Sequence, residues 1–426
     1  MMLTVSFIIF LLLMVIGTPI AFAMGLSGVI GVVTCSHISV PILAQQICGD
    51  LNSFSLMACP FFLLAGELMS KGGLTDKIID FTTSLLGWIR GGLAIATVGA
   101  CMIFAGISGS GAADTSAVGS LVLPSMRKKG YEDAYTASLL ATAGALGPII
   151  PPSMNMIIYS SITGDSVGKL FMGGYIPGFL IGIALMIMSV RYAKRHNISD
   201  KIGFDLKRLG KTFVGALGAI ICPVIILGGI LSGIFTATEA GIVACLYAVL
   251  CGKVIYKRLT WKSFWEAVYD ACKTTGMVMM LLSTAAIYGY MFARAQVGPH
   301  LTAWLLSHNL SNVAFMMIIM AFSLVCGCFM DMLAVMMVIM PVLYPVIISL
   351  GINPIQFGVM FCIASVVGAV TPPVGSYLFI AMGICDTTMS RMVKYVFPMV
   401  LITAVVMALI IIFPGVATYL PGLFYA

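Results

Sequence analysis

Gly147-Pro148-Ile149-Ile150-Pro151-Pro152-Ser153-Met154-Asn155 and, 221 residues later, Gly368-Ala369-Val370-Thr371-Pro372-Pro373-Val374-Gly375-Ser376 decide the fold. Each stretch interrupts a long apolar run with a proline pair. A proline pair removes two amide donors and frees the carbonyls one turn back. The same offset, without gaps, aligns Gly106 with Gly327, Pro124 with Pro345, Gly130 with Gly351, Asp165 with Asp386 and Pro177 with Pro398. Composition alone predicts roughly 0.1 coincident prolines over this window, and there are four. Backbone-breaking residues at matched positions are what a structural repeat requires. The chain reads as two copies of one unit.

Composition sets the environment. Of 426 residues only 22 are Lys or Arg and 15 are Asp or Glu, a 9% charged fraction, against 61% apolar. Globular domains carry about 25% charge. Apolar runs long enough to cross roughly 30 Å of hydrocarbon recur from end to end. A soluble enzyme, a nucleic-acid binder and a disordered chain are excluded. The net charge of +7 belongs to loops that orient a membrane protein rather than to a nucleic-acid patch. The 12 cysteines sit mostly in apolar runs and behave as small hydrophobes. Cys326-Gly-Cys328 has the wrong spacing for a metal site. Ala21-Phe22-Ala23 resembles a signal cleavage site, but no basic segment precedes it and the apolar run continues. Residues 3–33 therefore read as one permanent span flexed at Gly17-Thr18-Pro19.

Charge also orients the copies. The loop 191–211, with Arg191, Lys194, Arg195, Lys201, Lys207, Arg208 and Lys211, is assigned to the cytoplasm. Counting back, 171–190 and 134–162 cross, 92–126 is a re-entrant hairpin from the inside, 71–90 lies on the inner surface, and 51–70 and 3–33 cross. Counting forward, 213–235, 237–255 and 273–293 cross, and 294–311 lies on the outer surface. Then 313–348 is a hairpin from the outside, and 355–381 and 395–413 cross. The unpaired crossing inverts the second copy. The expected architecture is an all-α polytopic membrane protein of two inverted repeats, 1–211 and 237–426, joined by a connecting segment 212–236. Each repeat carries one re-entrant hairpin and one Pro-broken helix. Such symmetry describes a secondary transporter with its site at the midplane.

The hairpin tips read Ala105-Gly106-Ile107-Ser108-Gly109-Ser110-Gly111-Ala112-Ala113-Asp114 and Cys326-Gly327-Cys328-Phe329-Met330-Asp331. Non-helical backbone survives at membrane depth only where it lines a cavity or is buried in protein. Its free carbonyls suit a hard cation, and the helix N-termini beyond the breaks suit an anion. Asp331 is a cation ligand or a proton carrier. Asp114 is either a ligand or a helix cap, and Asp165 and Asp386 read as caps. Arg294 either attracts a carboxylate or a partner's acidic face, or snorkels to the interface. Glu67 and Glu239 read as contacts to a partner chain or a neighbouring span. The four histidines form no cluster, and no P-loop appears, so ATP hydrolysis is not the motor.

With these motifs in view, the chain closely resembles the large membrane subunit of tripartite ATP-independent periplasmic (TRAP) transporters over essentially its whole length. The runs from Ala105, Gly147 and Thr371 carry the resemblance. It implies a non-enzymatic, elevator-type, Na⁺-driven importer of organic acids such as sialic acid, four-carbon dicarboxylates or sugar acids, in the bacterial inner membrane. It also implies two partners, a small membrane subunit and a periplasmic substrate-binding protein. Some relatives carry the small subunit fused at the N-terminus; this chain begins at Met1 without it, so a separate one is expected. By position, Ser108, Ser110, Gly147, Pro151, Ser153 and Asn155 fall to one Na⁺, and Gly327, Asp331, Gly368, Thr371 and Gly375 to a second. Ser108, Ser153, Asn155, Asp331 and Ser376 are the side chains expected to meet the acid. A stand-alone divalent-anion symporter, a proton-coupled version and a scaffold or channel subunit are the alternatives.

Overall fold

The computed structural model describes residues 2–35, 40–308, 310–328, 332–373 and 375–425, and among these there are helices and no strands. Five helices are long and apolar enough to cross a bilayer: Val167–Arg195, Leu206–Leu231, Ala237–Ile255, Trp261–Arg294 and Met389–Ile412. The remaining apolar helices are shorter because glycine and proline cut them. The first hairpin pairs Gly92–Ser108 with Gly111–Lys128, and the second pairs Asn312–Gly327 with Met332–Ser349. An arm of 17 residues is about 25 Å long, short of a full crossing. Gly109 makes the first reversal at φ +61°, a left-handed conformation that glycine adopts without steric cost. Ser110 then caps the second arm by accepting from the Ala113 amide at 3.5 Å.

The broken helices are Asp133–Gly144 followed by Met154–Thr163, and Pro354–Ala369 followed by Ser376–Cys385. Gly111–Lys128 and Met332–Ser349 both begin and end 221 residues apart, as do the starts at Asp133 and Pro354. The Pro151–Pro152 and Pro372–Pro373 peptides are both cis.

Packing then interlocks the two halves. Met154–Thr163 lies on Met332–Ser349 and Pro354–Ala369, while Ser376–Cys385 lies on Gly111–Lys128 and Asp133–Gly144. The half-helix beyond each break therefore packs on the hairpin and leading half-helix of the other copy. Tyr159 donates to the Pro354 carbonyl at 3.1 Å across this junction. Around this body, Trp261–Arg294 packs on Ile20–Cys35, Val40–Leu51 and Ala58–Lys71, and Ala237–Leu250 also packs on Ala58–Lys71.

One sequence expectation is overturned. Residues 3–33 are not a single flexed span but two helices, Met2–Val15 and Ile20–Cys35, folded back on each other. The Gly17 amide bonds Met14 O at 3.0 Å and the Thr18 amide bonds Leu13 O at 3.0 Å. With Gly17 at φ +87°, this is a Schellman ending, which satisfies the last carbonyls and turns the chain. Pro19 then leads into the next helix, a position where its missing amide costs nothing. Gly31 lies so close to the first helix that a Cβ there would be 3.0 Å from Ser6 Cβ and 3.2 Å from Met2 O. The expected span 273–293 also extends backward: its helix begins at Trp261, with Lys262, Glu266, Asp270 and Lys273 in its leading part.

Candidate functional site

The first tip and first break meet at Asp114. This side chain is fully buried; Ser108 donates its hydroxyl to Oδ1, and Oδ2 has no hydrogen-bond partner. Ser108 Oγ in turn accepts from the Ser110 amide at 3.2 Å. Gly147, at the start of the break, lies against the orphan oxygen, and a Cβ there would sit 3.0 Å from both Gly111 N and Ser110 C. On the other side, Gly109 faces the Pro152 carbonyl, from which a Cβ would be 2.6 Å. Ser153 donates to Pro148 O at 2.5 Å and caps Met154–Thr163 through the Met156 amide at 3.3 Å. Pro151 O accepts from Tyr175 at 3.4 Å. Ser108 and Gly147 thus meet the buried carboxylate directly and Ser110 reaches it through Ser108, while Pro151 and Ser153 belong to the break that packs on the same tip.

Asp114 is the residue whose role the sequence left undecided, and it is not the cap. Ser110 is, and Asp114 stands one turn inside the helix. The signal available beforehand was its place in the tip motif, six residues after Ser108. Asn155 is drawn elsewhere: Nδ2 donates to Ser365 Oγ at 2.6 Å, tying the second half of one broken helix to the first half of the other.

The second tip is described as far as Cys328, and Asp331 lies outside the described residues. Gly327 and Gly368 are buried in their helix ends. Thr371 donates its hydroxyl to Val367 O at 2.6 Å, leaving its lone pairs free. Gly375, at φ +21°, packs on Thr371 O, and Ser376 opens the following helix. Tyr377, next in that helix, lies against Gly111 of the first tip, where a Cβ would meet its ring at 2.6 Å. The two breaks therefore converge. Ser323, one turn before Gly327, is fully buried with its hydroxyl unpartnered; nothing in its apolar run singled it out. Beside the second hairpin a cavity of about 430 Å³ opens between Trp261–Arg294 and Met332–Ser349, with Gln46, Ser161 and Tyr290 as its polar lining.

The remaining candidates stay apart. Arg294 is exposed in the last turn of its helix, with no ion pair among the described residues. Glu239 closes a capping box, accepting from Thr236 N at 2.8 Å and Thr236 Oγ1 at 2.9 Å. Its carboxylate is engaged locally, and Thr236→Ala should cost about 1 kcal/mol, read as a lowered thermal midpoint of the purified protein. Asp165 is not a cap, since Ser166 caps the next helix; it accepts from Tyr344 of the second hairpin at 3.2 Å. Asp386 ends Ser376–Cys385 in the left-handed region at φ +50°.

Paired hairpins and exchanged broken helices around a polar centre define a membrane transporter. Two solved transporters share the fold: Alcanivorax borkumensis YdaH, with a TM-score of 0.66 at 12% identity over 89% of this chain and 90% of that one, and Neisseria gonorrhoeae MtrF, at 0.62 and 13% over 87% and 83%. The chain belongs to the tripartite ATP-independent periplasmic transporter family, DctM component, whose family model matches residues 7–416. It is 38% identical to the 2,3-diketo-L-gulonate TRAP transporter large permease YiaN of Escherichia coli, over 94% of each chain. It is 35% identical to the C4-dicarboxylate large permease DctM of Vibrio cholerae, over 98% of this chain and 97% of that one. The isethionate TRAP permease DctMQ of Oleidesulfovibrio alaskensis is 36% identical, and the match spans 99% of this chain but 66% of that protein. The chain is thus a multi-pass permease of the inner membrane, not an enzyme.

Proposed function

We propose that the chain is the membrane engine of a Na⁺-coupled importer for an organic acid, acting with a small membrane subunit and a periplasmic substrate-binding protein. The observation that carries this reading is the orphan oxygen of Asp114, a buried carboxylate held through its other oxygen by the Ser108 hydroxyl and lying beside the break at Gly147. A buried anion left uncompensated costs several kcal/mol, and a hard monovalent cation from the transported cargo would compensate it with oxygen ligands alone. No cluster of three His, Cys, Asp or Glu able to hold a transition metal occurs among the described residues. A second Na⁺ is assigned to the second tip and break, at Gly327, Asp331, Gly368, Thr371 and Gly375. The acid's carboxylate is assigned to the converging helix starts, near Ser153 and Ser376. The relatives, permeases for isethionate, C4-dicarboxylate and 2,3-diketo-L-gulonate, support an organic anion as cargo.

In this mechanism the two hairpins and two broken helices travel as one body, because each half-helix is locked to the other copy. They move past a frame built from Ile20–Cys35, Ala58–Lys71, Ala237–Leu250 and Trp261–Arg294. The membrane potential adds about 2.3 kcal/mol per net charge per 100 mV. The test is uptake of labelled organic acids into proteoliposomes, with and without an inward Na⁺ gradient and each partner. Accumulation that needs Na⁺ and both partners is the expected result. Uptake by this chain alone would establish a stand-alone symporter. The orphan carboxylate oxygen also suits a proton carrier, and accumulation driven by a pH gradient without Na⁺ would replace the ion in this reading.

A further inference from the structure

A groove of about 660 Å³ runs between Val167–Arg195 and Met389–Ile412, away from the tips. One end is rimmed by Arg191, Arg195, His196 and Lys394; the other is lined by Met188, Pro398, Met399 and Ile402. Tyr135, Tyr192 and Tyr395 give it an aromatic lining. Tyr135 and Tyr192 stack at 3.4 Å between ring centroids, and Tyr395 stands edge-on to both at 5.6 Å. His196 extends the stack on Tyr192 at 4.2 Å.

The charges at this rim do not balance. Lys394 lies 3.4 Å from Glu132, and Tyr395 donates to the same carboxylate, so Glu132 is already engaged. Arg191 and Arg195 have no acidic partner among the described residues. They stand four residues apart on one helix face, where like charges repel. An anion at the rim relieves that repulsion and receives charge-assisted hydrogen bonds from two guanidinium groups.

We propose that this groove binds an anionic phospholipid, with the phosphate at the Arg191–Arg195 rim and an acyl chain along Met188, Met399 and Ile402. The apolar end argues for a lipid over a soluble anion. From Lys394 to Ile402 the groove runs about 12 Å along the helix, and its flanks Ile187, Phe397 and Leu401 are exposed as lipid-facing residues are. A soluble anion would use only the rim. Basic pockets between spans are known recognition sites for anionic headgroups. Both helices of the groove pack on Pro354–Ala369, and Met389–Ile412 packs on Asp133–Gly144. The lipid would therefore bridge two helices that each pack on a half-helix leading into a break. The inference does not depend on the transported cargo or the coupling ion.

The experiment titrates phosphatidylglycerol into the delipidated full-length protein and reads binding by native mass spectrometry. Arg191→Gln/Arg195→Gln should weaken binding about 25-fold, two headgroup-proximal charges at about fivefold each. Ile402→Trp, which fills the trough and leaves every charge in place, should also lose the lipid. Lys207→Gln/Lys211→Gln, on a neighbouring basic segment, should bind as the unmodified chain does. The lipid-free thermal midpoint separates lost binding from lost folding. Phosphatidylcholine binding as tightly as phosphatidylglycerol, displacement by equimolar glycerol phosphate, or full binding by the double arginine variant would each overturn the proposal.

Discussion

Asp114→Asn is expected to abolish Na⁺-dependent uptake and to weaken Na⁺ binding on the order of 100-fold. The amide has the same shape and can still accept from Ser108, so the tip should keep its geometry. What disappears is the charge behind the orphan Oδ2. Two unit charges near 4 Å interact by about 4 kcal/mol at an effective dielectric of about 20; the residual carbonyl dipole of Asn returns part of that. The stability signature has a distinctive sign. Without Na⁺, the wild-type carboxylate is an uncompensated buried charge, so Asp114→Asn should melt higher than wild type. With saturating Na⁺, wild type should gain and the variant should not. Thermal midpoints of the two proteins across a Na⁺ titration test this directly. Equal Na⁺ shifts in both would show that Asp114 does not meet the ion.

Gly147→Ala is expected to reduce uptake to below about a tenth of wild type with a smaller effect on folding, since overpacking typically costs about 1–3 kcal/mol. The added methyl would meet Asp114 Oδ2, and also Gly111 N and Ser110 C at 3.0 Å. Two of these three atoms are backbone at the tip, which cannot rotate aside. The tip must therefore back away from the break, and the candidate cation site opens as it does. Gly228→Ala is the matched control, because nothing lies within 4 Å of a Cβ there. It should transport normally. Uptake by Gly147→Ala equal to that control would separate the break from the ion site.

The matched proline pairs and the first glycine tip were legible in the sequence because they act locally. A proline pair ends a helix wherever it sits, and a Gly-Ser-Gly tip bends whatever follows it. The resulting elements begin and end at the expected offset along much of both copies. The reversal at Gly17-Thr18-Pro19 was less legible. A glycine and a proline in an apolar run permit either a flex or a full turn, and only the packing of Gly31 against Ser6 and Met2 selects the turn. Glu239 shows a local role that its place at a span end did not announce: a Thr three residues earlier donates to its carboxylate in a capping box.

What the sequence determined by itself was the environment, the internal repeat, the tips and breaks, and the resemblance that the family match bears out. Each follows from composition or from residues that constrain their own backbone. Tertiary structure alone decided that each half-helix packs on the opposite copy, that Asn155 ties the copies together through Ser365, and that Asp114 keeps an oxygen without a donor. Whether a buried carboxylate is capped, paired or orphaned depends on which groups arrive from elsewhere in the chain. That is a property of packing, which local spacing does not encode.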